Sequence, residues 1–316
     1  MKIYINRKPT IGPWGGGNKT LTELCKALMS RNHKVVFELE KNIDVIFCYD
    51  PRPNQSSIWY EHFVNYKRNN PNTVIIQRVG DVGTHSKPEL TYLLKAIIDA
   101  GYTDLFIFPS NWSREYLSYK GNNFKIIENK PLDIFYNKRI NSKIGKKIKI
   151  VTHHWSTNEK KGFDFYNKVG IYSKLGKLSK KDFELTYIGR YNKDFSNEGW
   201  NLIEPVDEII LSEMLPTYDI YLTASVEEAG ANHVLEAMAA GLPVIYHDKG
   251  GSINEYCKDY GLSYNDINGF IQSAETIIDN FGKFKSNVLK YNERINTSIM
   301  MYIKCIENIK NGESYV

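Results

Sequence analysis

No apolar run in this 316-residue chain approaches the roughly 20 residues that cross a bilayer. A spanning helix is therefore not expected. Cysteine is scarce: Cys25, Cys48, Cys257 and Cys305 lie far apart with no C-x-x-C pair. That spacing argues against a disulfide framework or a thiolate metal centre and fits buried thiols in a reducing compartment. No Asp-x-Asp triplet, low-complexity tract or short repeat occurs. Charge of one sign is missing too. With 41 basic and 36 acidic residues interleaved, the net charge of +5 leaves no concentrated basic stripe for nucleic acid, despite 22 tyrosines. The opening MKIYINRKP carries charges too early for a signal peptide, so folding in the cytosol is expected. Four Asn-x-Ser/Thr sequons, Asn18 and Asn111 among them, then read as chance.

What the chain has is alternation. Short apolar runs at Ile3–Ile5, Val35–Leu39, Val45–Tyr49, Val74–Val79, Leu105–Pro109 and Lys125–Glu128 read as strands separated by amphipathic helical stretches. One such stretch, LTELCKALMSR, sets Leu21, Leu24, Cys25 and Leu28 on one face. The pattern restarts at Ile148–Thr152 and continues through Glu184–Ile188, Leu202–Pro205, Ile220–Thr223 and Val244–Tyr246. This α/β alternation predicts parallel sheets covered by helices in two Rossmann-like domains facing across a cleft. The expected extents are 1–140, 147–280, and a C-terminal helix at 281–316 that crosses back to the first domain. The tail from Asn268 to about Ile309 reads as two helices. Between the halves lies a basic block, Lys138 to Lys149, with six positive charges and no acid. It reads as a solvated linker, or as a patch for an anionic membrane surface or acidic acceptor.

The most informative segment is EAGANHVLEAMAAGLPVIYHDKGGSINE, Glu228 to Glu255. Glu228 and Glu236 stand eight positions apart, with Gly230, Ala231, Asn232 and His233 between them where a helix should begin. Backbone N–H groups at a helix start favour an anion, and Glu236 within VLEAMAAG needs hydrogen-bond partners. Phosphate at the helix end with hydroxyls on the carboxylates suits a nucleotide sugar. Alternatively, both acids merely cap and decorate a helix. Gly15, Gly16 and Gly17 precede a helix expected to start at Asn18. They let the backbone approach a ligand, although no G-x-G-x-x-G is formed. His153 and His154 are adjacent on a strand and point to opposite faces, so they are poor joint ligands for one metal. RVGDVGTH, Arg78 to His85, ends a strand with Asp81 and His85 in a loop, either functional or a plain turn.

The Glu228–Glu255 segment resembles the nucleotide-binding signature of the large retaining glycosyltransferase family with the GT-B fold and its Glu-x7-Glu pattern. FPSNWSREYL and IIENKPLDIFY resemble the end of that family's acceptor domain, and KIVTHHWSTNEKKGFDFY the first strand and loop of its donor domain. The resemblance implies that Glu228 contacts the donor sugar, Glu236 the ribose hydroxyls, and the Gly230–His233 amides the sugar or its phosphate. It implies that Lys161, in Lys161-Gly162, binds the diphosphate as a point charge. The family's partner arginine is absent: His153, His154 and Trp155 occupy that loop, and the substitute is Arg190 or one of these histidines, unless Arg190 is a plain surface residue. Asp81 and His85 fall among acceptor-side residues.

The expected activity is transfer of a hexosyl group from a UDP- or GDP-sugar to a glycan, lipid-linked or other hydroxyl acceptor. By resemblance it proceeds with retention, without metal or other cofactor. Rival readings are a sugar-nucleotide epimerase and a non-catalytic accessory protein, the latter favoured by the missing arginine.

Overall fold

A computed structural model describes residues 1–10, 16–136, 143–178 and 182–313. Gly15 and the part of the basic block at 138–142 lie outside them. The chain divides into two compact units, Met1–Asn129 with Ile295–Val316, and Lys130–Arg294. The division falls ahead of the expected break between 140 and 147, because Leu132, Ile134, Phe135 and Tyr136 pack into the second unit's core.

The first unit runs β1 (Lys2–Ile5), α1 (Gly16–Ser30), β2 (Lys34–Val36), β3 (Val45–Cys48), α2 (Tyr60–Asn69), β4 (Val74–Arg78), α3 (Glu89–Ala100), β5 (Leu105–Phe108), α4 (Asn111–Tyr116) and β6 (Phe124–Ile126). Its six strands are parallel, in the order β2-β1-β3-β4-β5-β6. Runs such as VIFC and LFIF are buried throughout, as strands covered on both faces must be.

The second unit runs β7 (Lys147–His154), α5 (Phe163–Lys174), β8 (Asp182–Gly189), β9 (Trp200–Ile203), α6 (Glu208–Met214), β10 (Ile220–Thr223), α7 (Asn232–Ala239), β11 (Val244–His247), α8 (Ser252–Cys257), β12 (Gly261–Tyr264), α9 (Ile267–Asp279) and α10 (Phe281–Val288). The parallel order is β12-β11-β10-β7-β8-β9. Strand alternation sorts its core into two layers. Val151, Ile188 and Tyr221 pack with α6, α7 and α8 residues, while Ile148, Ile150, Ile220 and Leu222 pack with α5 and α9. The chain then returns to the first unit as α11 (Ile295–Asn311), which packs on α1 and β4.

Chain order reverses between β1 and β3 in one sheet and between β7 and β10 in the other. Such switch points open a crevice at the strands' carboxyl ends, where open α/β sheets bind ligands.

Three expectations need correction. The first helix starts at Gly16, so Gly16 and Gly17 form its first turn rather than a loop ahead of Asn18; the Asn18 side chain instead ties back to Thr10. The tail from 267 holds three helices, because α9 stops at Asn280 and a non-helical stretch precedes Ile295. Strand β12 was not expected. Its Gly261 is there for room: a Cβ would lie 1.8 Å from the Val244 carbonyl oxygen on β11. Gly261→Ala should therefore destabilise by about 1–3 kcal/mol, lowering the melting temperature by several degrees. Gly282, with nothing within 4 Å of its missing Cβ, is the control, and Gly282→Ala should leave the melting temperature unchanged or slightly raised.

Candidate functional site

The crevice between β7 and β10 gathers most of the residues singled out in the second half of the sequence. From β7 the chain turns through a single 3-10 turn, Glu159–Lys161, capped by the Asn158 side chain. Gly162 follows at φ +81, where a Cβ would sit 2.4 Å from the Ala224 carbonyl oxygen. A side chain here would be strained and would clash, so Lys-Gly is the sequence this close approach requires. From β10 the chain enters residues 224–231, held by its backbone on several sides. Ala224 N donates to Tyr166 Oη at 2.9 Å and Val226 N to the Lys160 carbonyl at 3.0 Å. Glu227 N donates to Lys249 O at 2.8 Å, and Glu228 forms a parallel bridge with Gly251.

This loop delivers Glu228 to Lys161, with Nζ 2.5 Å from Oε1 and both residues more than nine-tenths buried. Their neighbours Lys160 and Glu227 form a second, half-exposed pair. Helix α7 begins at Asn232, and its cap residue Ala231 provides no side-chain acceptor for the first-turn amides. The Ala231 amide itself donates to Ser252 Oγ at 3.1 Å, so of the four amides expected to face a ligand this one is already engaged. One turn on, Glu236 is 5% exposed and accepts a hydrogen bond from His153 Nε2 at 2.9 Å.

The histidines were read as a poor metal pair standing where the resemblance calls for an arginine. Their rings do diverge, His153 toward Tyr221 and Glu236, His154 toward Tyr166 and Tyr187. His233, in the first turn of α7, lies near both, with ring centroids at 6.3 and 4.9 Å. Its Nε2 is 3.0 Å from Thr223 Oγ1. Burial pushes the His233 imidazole down to about 3, so it is neutral near pH 7. Arg190 follows β8 at the same sheet edge; its backbone amide donates to His154 O at 2.9 Å and its exposed guanidinium reaches the Trp155 carbonyl at 3.4 Å. Tyr166 was overlooked in the sequence. Its hydroxyl, kept protonated by burial that raises it to about 12, joins Thr152, His154 and the Ala224 amide.

Asp81, His85, Gly16 and Gly17 belong to the first unit. Asp81 Oδ1 accepts from Gly83 N at 3.0 Å, a local turn that satisfies one of its oxygens, and His85 is half-buried after it. Tyr49 Oη donates to the Gly17 carbonyl at 2.6 Å. Among the described residues no group of three or more His, Cys, Asp and Glu side chains is placed to hold a metal ion. Among the described residues no helix is long and apolar enough to cross a membrane.

Two stability measurements probe this geometry. The depressed His233 lets the unfolded chain take up a proton below pH 6.5 that the folded chain refuses until about pH 3. Its contribution is thus complete above pH 6.5 and falls with acid, by at most about 1.4 kcal/mol per pH unit. Urea midpoints of His233→Asn should drop less steeply than wild type between pH 6.5 and 4. In a double-mutant cycle, Lys161→Met or Glu228→Gln alone should cost about 3 kcal/mol by stranding a buried charge, and the double variant should recover part of that loss.

Residues 151–280 match the family model described as glycosyl transferases group 1. No curated protein matches the sequence. Several solved structures share the architecture over nearly its whole length. A sucrose-phosphate synthase from Thermosynechococcus elongatus is 13% identical, with a TM-score of 0.71 over 99% of this chain and 100% of that one. WaaG, a glycosyltransferase involved in lipopolysaccharide biosynthesis, gives 13% and 0.68 over 97% and 99%. Alr3699/HepE of Anabaena, solved with UDP-glucose, gives 13% and 0.66 over 97% and 99%. With its two parallel-sheet Rossmann-like units, this chain has the GT-B fold.

Proposed function

We propose that the chain transfers a sugar from a nucleotide-sugar donor to a hydroxyl group of a glycan or lipid-linked acceptor. The observation that carries this reading is the meeting of Lys161, Glu228 and Glu236 around the start of α7, at the switch point of the second sheet. A cation beside a helix start suits a diphosphate. Two fixed carboxylates beside it suit hydroxyl groups, one set on the sugar and one on the ribose. Glu228 is assigned to the sugar, Glu236 to the ribose diol, and Lys161 with the first-turn amides of α7 to the diphosphate. Gly16 and Gly17 are assigned to phosphate oxygens, and Asp81 and His85 to the acceptor side. Arg190 is the proposed second cation.

In the reaction the bond from the anomeric carbon to the phosphate oxygen breaks and a bond to the acceptor oxygen forms. The acceptor proton passes to the departing nucleoside diphosphate, whose charge Lys161 stabilises. Attack from the leaving-group face retains configuration, in keeping with the absence of a carboxylate assigned as nucleophile. A non-catalytic binding role has one feature in its favour, the histidines where the resemblance calls for an arginine.

The UDP-glucose bound to the Anabaena protein makes UDP-sugars the first donors to test, followed by GDP-sugars. A matching nucleotide should raise the wild-type melting temperature without added metal. Glu236→Ala should weaken nucleotide binding about tenfold or more, from loss of a hydrogen bond to a charged group. Glu228→Ala should keep nucleotide affinity within a few fold and abolish turnover. Nucleotide binding with no turnover by wild type toward any hydroxyl acceptor would favour the binding role.

A further inference from the structure

Lacking the expected arginine, the end of β7 offers His153 as an obvious substitute clamp for phosphate. Its geometry says otherwise. His153 is 1% exposed, and the two-residue period of the strand turns it onto the α7 side of the sheet, where Val151 and Tyr221 also pack. Its ring lies 5.4 Å from Tyr221, 6.0 Å from Trp155 and 6.3 Å from His233, centroid to centroid. Both ring nitrogens are engaged. Nε2 is 2.9 Å from Glu236 Oε2, and Nδ1 is 3.1 Å from Tyr221 Oη. Tyr221 Oη also accepts from the His153 backbone amide at 3.1 Å. Burial keeps the Tyr221 phenol protonated, and both Nδ1 and the His153 carbonyl, at 3.3 Å, stand in place to accept its hydrogen. With either acceptor, Nε2 faces a carboxylate, which only accepts, so Nε2 carries a proton and donates.

We infer that His153 is a positioning residue for Glu236. By donating to Oε2 it fixes the plane in which the carboxylate meets the vicinal hydroxyls of a nucleoside ribose. The inference rests on the assignment of Glu236 to the ribose made above. The relay Tyr221–His153–Glu236 spans two strands and a helix, so the carboxylate is held by the sheet itself rather than by its own helix alone. Such indirect support is what keeps a binding group within the small tolerance its ligand requires. Without the histidine, a carboxylate set among Val234, Leu235 and Met238 loses a donor it needs while buried, and turns away from the diol.

The test reads ribose recognition, which a merely structural role would leave alone. Dissociation constants for UDP and 2′-deoxy-UDP, and for GDP and 2′-deoxy-GDP, are measured by calorimetry on wild type, His153→Leu and His153→Gln. The glutamine amide can stand where Nε2 stood and donate in its place. Wild type is expected to favour the ribonucleotide of its own base about tenfold or more. His153→Leu should bring that ratio close to one, and His153→Gln should restore most of it. A wild-type ratio retained in His153→Leu overturns the inference and leaves the transferase reading standing. Wild-type binding that ignores the 2′-hydroxyl overturns it together with the ribose assignment. Failure of wild type to bind any of the four overturns both this inference and the donor site. Should His153→Leu not fold, His153→Gln decides: a soluble glutamine variant with its ratio near one also overturns the claim.

Discussion

The second unit's crevice depends on the backbone of residues 224–231. Three neighbouring segments hold it by main-chain or hydroxyl hydrogen bonds: the Lys160–Lys161 turn, Tyr166 of α5, and the Lys249–Ser252 turn before α8. Glu227 lies at φ 55, a left-handed conformation that costs a non-glycine residue about 1–2 kcal/mol. The bonds of Glu227 N to Lys249 O and of Glu228 N to Gly250 O offset that strain. They also set the direction in which Glu228 leaves the loop, and they start α7 where its next turn brings Glu236 to His153. Once this loop is fixed, both glutamates have fixed origins, and side-chain partners need only complete their aim.

Sequence patterns made the frame of this region readable but not its connections. Buried apolar runs marked β7, β8, β10 and β11 because strands covered on both faces leave a local signature. Glu236 stood out as a carboxylate in an apolar run and Glu228 by its spacing from it, whereas Lys161-Gly162 entered only through the family resemblance. The partnership of His153 with Glu236 joins residues 83 positions apart, and nothing local announces it. A signal existed nonetheless: a buried Glu236 demanded a donor, and the strand ends of that half offered few. Strand β12 was missed for a related reason. The contact that calls for Gly261 is with the backbone of a neighbouring strand, which no local pattern announces. The third tail helix was missed because its boundary at Asn280 serves as the end of one helix and the start of the next, leaving no gap to see.

The first unit is finished by a part of the chain that sequence order puts last. Helix α11 brings Glu307 to His33 at 2.9 Å and Ser298 to the Glu128 carbonyl at 2.7 Å. It also supplies Tyr302, whose hydroxyl accepts from Arg78 Nε at 3.2 Å, while the guanidinium lies over the Tyr49 ring at 4.3 Å. Arg78 is only 4% exposed, and no carboxylate among the described residues forms an ion pair with it. An aromatic face and a phenol hydroxyl take that place. Both come from residues tied to the rest of the unit, Tyr49 through Gly17 at the start of α1 and Tyr302 through α11. Residues 1–129 cut free of α11 would leave that guanidinium without its hydrogen-bond partner, so the unit is defined by contacts that the linear sequence hides.

Charge balance then constrains any ligand of the second unit. Without one, each buried glutamate already has a basic partner: Glu228 has Lys161 and Glu236 has His153. The two arrangements respond differently to a diphosphate. Lys161 is a flexible chain ending in three donors, able to exchange a carboxylate for phosphate oxygens or to share itself between them. Phosphate must therefore compete with Glu228, and its net gain is the difference between two strong contacts rather than the whole of one. On the proposed assignment of Glu228 to the sugar, a hydroxyl donor replaces the contact that this exchange weakens. Binding of the charged and the hydroxylated parts of one ligand is thereby coupled, because each satisfies the group that the other unbalances. Glu236 takes no part in the exchange. Its partner is a ring locked between two strands and a helix.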